Sequence, residues 1–145
     1  MTIFERLRED HDKHRTLIGL VAKTHGDSEG RREMFERLRA DMDAHAAAEE
    51  RCFYSRLLEA GLTQEKGRHS VAEHKQLDDL LEKLAKMDYS NPQWLATFRK
   101  FEELALHHMD EEEHEVFQLA GKTLSEAEKL ELVEEFDALK QEEAA

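Results

Sequence analysis

The sequence predicts an all-α protein: an antiparallel, up-down-up-down four-helix bundle followed by a short fifth helix. Three observations carry this. The 145 residues include only six glycines and one proline, and 38% are charged, with Leu, Glu, Ala and Lys prominent, a composition of good helix formers. Apolar residues recur at alternating steps of three and four along four long segments, the period of a helix with one buried face. The segments are joined by only a few residues, which leaves no room for a crossover and makes consecutive helices antiparallel neighbours.

Thr2 followed by Glu5 is a capping-box pattern, and Phe4, Leu7, Leu17, Ile18 and Val21 carry the first helix to about Thr24. His25-Gly26-Asp27-Ser28 supplies turn chemistry. Met34, Phe35, Leu38 and Met42 then carry a long second helix to Gly61, a residue type that commonly ends helices. Thr63 is expected to cap a third helix built on Val71, Leu77, Leu81 and Leu84, and Tyr89-Ser90-Asn91-Pro92 ends it. Pro92 suits the first position of a fourth helix, which uses Trp94, Phe98, Phe101, Leu104 and Leu119 before Gly121. Ser125 with Glu128 caps a fifth, carrying Leu132, Val133, Phe136 and Leu139. Residues 1–121 thus read as one bundle, and 122–145 as a helix that packs on it or trails from it.

Composition also narrows the function. The single cysteine, Cys52, rules out an internal disulfide, a four-cysteine zinc site and an iron–sulfur cluster, so a metal here must use His and carboxylates. A net charge of −13 argues against nucleic acid or an anionic membrane as partner, because both require a basic face. No apolar run approaches the roughly 20 residues that span a bilayer, and Met1–Asp10 is too charged for a signal-peptide core. A cytoplasmic location is the expectation.

The informative residues are polar ones on apolar seams. Helix 1 has Phe4, Leu7, His11, His14, Ile18 and Val21; helix 2 has Leu38, Met42, His45, Glu49 and Cys52; helix 3 has His74, Leu77, Leu81 and Leu84; helix 4 has Phe101, Leu104, His108, Glu112 and Leu119. These interruptions fall at one depth. His11 lies about 14 residues before the first turn and His45 about 17 after it, a difference of less than one helical turn at roughly 1.5 Å per residue. The same comparison pairs Glu49 with His74 and His74 with His108.

Spacing alone is weak evidence, since His-x-x-x-Glu also occurs at His25–Glu29, His69–Glu73 and His107–Glu111 in a chain with 34 acidic residues. Position on the seam discriminates. An unpaired carboxylate in an apolar core costs several kcal/mol unless it is neutralised, paired or metal-bound, and no Lys or Arg on the seams is placed to pair with Glu49 or Glu112. The competing reading is a buried His bonded to a protonated Glu. Imidazoles and carboxylates on facing helices suit first-row metals, and two Glu with four His exceed the needs of one tetrahedral ion.

Asp10-His11, His45-Ala-Ala-Ala-Glu49-Glu50, Glu73-His74 and His108-Met-Asp-Glu-Glu112-Glu113 with Phe117 together resemble the hemerythrin-like, or HHE cation-binding, family over about residues 3–121. The resemblance implies two oxo- or hydroxo-bridged iron ions, with His11 and His45 serving one, His74 and His108 the other, and Glu49 and Glu112 bridging them. It also implies a small partner, a diatomic gas or peroxide. The expected function is binding or sensing of dioxygen, nitric oxide or iron; the alternative is an enzyme that decomposes hydrogen peroxide or processes nitric oxide.

Departures from the pattern are informative. Ser70 stands where oxygen carriers have a further histidine, which leaves one iron short of a ligand. His14 is a candidate to fill that gap, to support the ligands from outside, or simply to pack. Tyr54, Ser55 and Gln118 replace residues usual in relatives and are read as affecting packing more than ligation. Cys52 is read as a small buried hydrophobe; His25, His69, His107 and His114 are read as solvent-facing or supporting residues. The acidic run Asp110–Glu115 is read as a solvated face from which Glu112 alone turns inward.

Overall fold

A computed structural model describes residues 1–145, all of them helical or in short connections, with no strand. Helix α1 spans Ile3–Ala22, and its capping box between Thr2 and Glu5 forms as the sequence predicts. After the turn at Gly26, whose φ of 55° suits glycine, α2 spans Glu29–Glu49 with Ser28 as its cap. It passes without a break into a π-helical turn at Glu50–Tyr54 and then into α3, Ser55–Glu59. Helix α4 spans Gln64–Lys86. The fourth rod repeats the second, with α5 at Gln93–Glu111, a π turn at Glu112–Val116 and α6 at Phe117–Thr123. Helix α7 spans Glu126–Ala144 behind the predicted Ser125/Glu128 capping box.

Several local expectations are corrected. Pro92 sits one residue before the first turn of α5. The Thr63 hydroxyl donates to the carbonyl of Leu57 at 2.8 Å and leaves the start of α4 without a side-chain cap. Gly121 lies within α6 and does not end it.

The two π turns change which side chains face inward. In a π turn each bond spans five residues, so one residue is added and everything beyond it is rotated. Cys52, Phe53 and Tyr54, three consecutive residues, are consequently all buried, which a straight helix facing one core does not allow. In the fourth rod Val116, Phe117 and Ala120 are buried, while Leu119, placed on the seam by its spacing, is only half-buried.

The apolar core falls into two clusters of 13 residues each, one around Ile3, Phe53, Phe117 and Phe136 and the other around Ile18, Phe35, Trp94 and Phe98. The polar residues of the four seams occupy the level between them. Helix α7 packs against α1 and α2: Leu132 and Phe136 enter the first cluster, and Lys140 Nζ reaches Asp10 Oδ2 at 2.9 Å and Asp41 Oδ1 at 3.2 Å.

Candidate metal centre

Each rod delivers one buried imidazole to the layer: His11 from α1, His45 from α2, His74 from α4 and His108 from α5. Glu49, at the end of α2, and Glu112, at the start of the second π turn, are 0% and 1% exposed. All four Nε2 atoms turn inward. His11 Nε2 is 3.1 Å from Glu112 Oε1, His45 Nε2 and His74 Nε2 are each 3.3 Å from Glu49 Oε1, and His108 Nε2 is 3.7 Å from Glu112 Oε2. The donors form two overlapping groups, His11/His45/Glu49/Glu112 and Glu49/His74/His108/Glu112, each with ligand atoms within 4.8 Å of one another. The two groups share both carboxylates.

The outer ring nitrogens are held by four further carboxylates. His11 Nδ1 donates to Glu113 at 2.7 Å, His45 Nδ1 to Asp10 at 2.7 Å, His74 Nδ1 to Glu50 at 3.2 Å and His108 Nδ1 to Glu73 at 2.8 Å. With the proton on Nδ1, the Nε2 lone pair is free to ligate, the arrangement by which metal-binding histidines are oriented and made more basic. Each of these carboxylates is the chain neighbour of a seam residue, yet it serves a histidine on a different helix. Glu113 therefore also turns inward, contrary to its reading as part of a solvated face, and Arg15 holds its Oε2 at 2.7 Å.

Whether the layer fits a cation is decided by its unpaired atoms. Both oxygens of Glu49 and Oε1 of Glu112 are buried with no hydrogen-bond partner. Native interiors rarely leave carboxylate oxygens bare. The nearest cations stop at the outer carboxylates, Arg6 and Lys140 at Asp10 and Arg15 at Glu113. An imidazole-and-carboxylate cage around unbonded oxygens is a donor set for first-row cations.

In the metal-free layer buried rings and carboxylates shift one another's titration. Burial opposes the charge on His11, but Glu112 and Glu113 outweigh it and raise its pKa to about 9; burial is likewise overcome at His74 by Glu49 and Glu50, which raise it to about 10. Burial opposes ionisation of Glu49, yet His45 and His74 keep it well below the usual carboxylate range. Without a metal, His11 and His74 thus hold protons at neutral pH and face an ionised Glu49.

The packing also places Tyr54 and His14. Tyr54 belongs to the layer, because its hydroxyl donates to Glu112 Oε2 and lies 3.2 Å from His74 Nε2. It stands in the His74/His108 half, where Ser70 leaves the shortfall, and the only sequence signal for it was its departure from the usual residue. His14 lies outside both groups: its Nε2 is 2.6 Å from Asp41 Oδ2, and burial draws its pKa down to about 4. Cys52 packs in the first apolar cluster, with burial raising its thiol to about 12. His25, His69, His107 and His114 are exposed.

A cavity of about 410 Å³ adjoins the layer. The four layer histidines and Met42, Leu77 and Met109 line it, and Asp43, Lys75 and Asp78 from α2 and α4 border it on the solvent side.

Comparison with known proteins places this geometry. The chain is 26% identical to a hemerythrin HHE cation binding domain-containing protein from Mycobacterium kansasii, whose crystal structure superposes with a TM-score of 0.87 over 99% of this chain and 88% of that one. It is 28% identical over 143 residues to a DNA nickase from Nostoc sp., a match that covers 97% of this chain but only 39% of that protein's length. The family model described as Hemerythrin HHE cation binding domain matches residues 2–120, so the chain belongs to the hemerythrin HHE cation-binding family.

Proposed function

We propose that the cation is a pair of iron ions and that the protein binds or senses a small molecule there: dioxygen, nitric oxide or iron itself. The observation that carries this is the sharing of two unbonded core carboxylates between two groups of imidazoles. His11 and His45 would hold one ion, His74 and His108 the other, with Glu49 and Glu112 common to both. Two iron ions so held would supply a two-electron store. Glu113, Asp10, Glu50 and Glu73 fix the rings, and the cavity supports a route for a small ligand between α2 and α4. The charge of −13 supports a reading without nucleic acid as partner.

Protein from iron-replete cells is expected to carry about two irons per chain, with near-ultraviolet bands of an oxo-bridged ferric pair. Metal analysis and absorption spectra test this; fewer than one metal per chain after reconstitution overturns it.

Tyr54 favours a second reading, decomposition of hydrogen peroxide. In that reaction one peroxide is reduced to two waters with the two electrons and two protons that another yields on oxidation to dioxygen, so proton transfer at the centre matters. The Tyr54 hydroxyl, kept protonated by burial and by the neighbouring Glu112 and Glu49, is a proton donor within the layer. Tyr54→Phe should load iron like the unaltered protein and lower peroxide turnover at least about tenfold, the low side of what positioned proton donors contribute. Unchanged turnover would remove the support for this reading.

A further inference from the structure

Outside the core layer, two of the His-x-x-x-Glu pairs that carried no information as spacing meet in space. His69 and Glu73 lie on α4, His107 and Glu111 on α5, and the packing of these helices sets the pairs side by side. His69 Nε2 is 3.3 Å from Glu73 Oε2 and 3.1 Å from Glu111 Oε1, and His107 Nε2 is 3.1 Å from Glu111 Oε2. The His69 and His107 side chains are 51% and 64% exposed, while those of Glu73 and Glu111 are 8% and 16% exposed. The carboxylates are thus embedded between the helices and the imidazoles border solvent.

Two features argue that this is more than a surface ion pair. None of the three contacts is aligned as a hydrogen bond, whereas Glu73 Oε1 does accept one from His108 Nδ1 at 2.8 Å. Near contact without alignment is also the relation of His11 Nε2 to Glu112 Oε1 and of His45 Nε2 to Glu49 Oε1 in the core. Ligands held at roughly 2.0–2.1 Å around a tetrahedral ion are about 3.3 Å apart, close to the spacing found here. In addition, neither Glu73 nor Glu111 is paired with a lysine or arginine; Lys66, which reaches this face, bonds to Glu115 at 2.9 Å.

We propose that His69, Glu73 and Glu111, whose ligand atoms lie within 4.8 Å of one another, form a second, solvent-facing site for a divalent first-row cation of the zinc or ferrous class, with His107 bordering it through the other oxygen of Glu111. One imidazole nitrogen and two carboxylates match the preference of such ions for mixed nitrogen and oxygen donors, and the exposed side leaves a position for water. The site touches the core through Glu73, one oxygen of which faces the outer cation while the other holds His108.

The test is a titration of the iron-loaded protein with Co²⁺, read by bound metal and by visible absorption, on the unaltered chain and on His69→Ala, His107→Ala and the double variant. The unaltered chain should take up one more ion than the double variant, with bands diagnostic of imidazole coordination, and each single variant should bind at least about tenfold more weakly. Asp79→Asn, which alters the exposed acidic group Asp78/Asp79/Glu82, should bind like the unaltered chain. Equal uptake by the unaltered chain and the double variant overturns the proposal, as does loss of the extra ion in Asp79→Asn alone. Because all these proteins share one core, a failed core assignment appears as low iron content in every one of them, and a failed outer site as the absence of a difference between them.

Discussion

Replacing Glu49 or Glu112 with alanine should abolish stable iron binding. Each carboxylate belongs to both imidazole groups, so with two ions in the layer, as proposed, either substitution would take a ligand from both at once. Loss of even an outer hydrogen-bond partner costs roughly 10–100-fold in metal affinity; loss of a shared ligand should exceed the upper end of that range. Glu49→Gln and Glu112→Gln keep the volume while removing the charge, and they should fail in the same way, which separates ligation from packing. His25→Ala and His114→Ala, at exposed positions, should leave iron content unchanged. Iron analysis of the purified variants checks this, and equal loading in all of them would refute the assignment of the layer.

The second large effect is a melting temperature that depends on metal and on pH in opposite senses. An ion that binds only the folded state adds RT ln(1 + [L]/Kd), about 4 kcal/mol at a thousandfold excess, or on the order of 10 °C for a domain of this size. In the metal-free protein His11 and His74 titrate at about 9 and about 10, above the 6.5 or so of the unfolded chain. Their imidazolium–carboxylate pairs therefore contribute fully below about pH 6.5 and are lost as pH rises through 9 to 10. The metal needs the same rings neutral, so protons compete with it from well above the free imidazole pKa. The melting temperature of metal-free protein should fall between pH 7 and 10, and the increment given by iron should grow over the same interval and shrink towards pH 6. Paired thermal melts measure both slopes, and superimposable curves with and without iron would mean that the layer holds no metal.

Much of this was legible in the sequence, for reasons that differ from residue to residue. His11, His45, Glu49, His74, His108 and Glu112 were found because a polar residue on a strict apolar seam has one place to go, and because short connections fix the depth of each helix against the next. The caps at Thr2 and Ser125 are local chemistry, and local chemistry is written in adjacent residues.

What escaped depends on which helix lies beside which. Asp10 serves His45, Glu113 serves His11, Glu73 serves His108 and Glu50 serves His74; every one of these bonds crosses between helices, and no spacing along a single helix reports it. The Tyr54 hydroxyl reaches Glu112 after a π turn that shifts the phase of the second rod, whereas its departure from the family pattern was read as a matter of packing. The same limit applies to His69–Glu73 and His107–Glu111, indistinguishable by spacing from His25–Glu29 until α4 and α5 set them face to face. The sequence by itself determined the helices, their buried faces and the depth of the polar layer, because these follow from periodicity and chain length. Only the tertiary structure decided the partners of each ring, the place of Tyr54 and the setting aside of His14, because these follow from the rotation of neighbouring helices about their own axes.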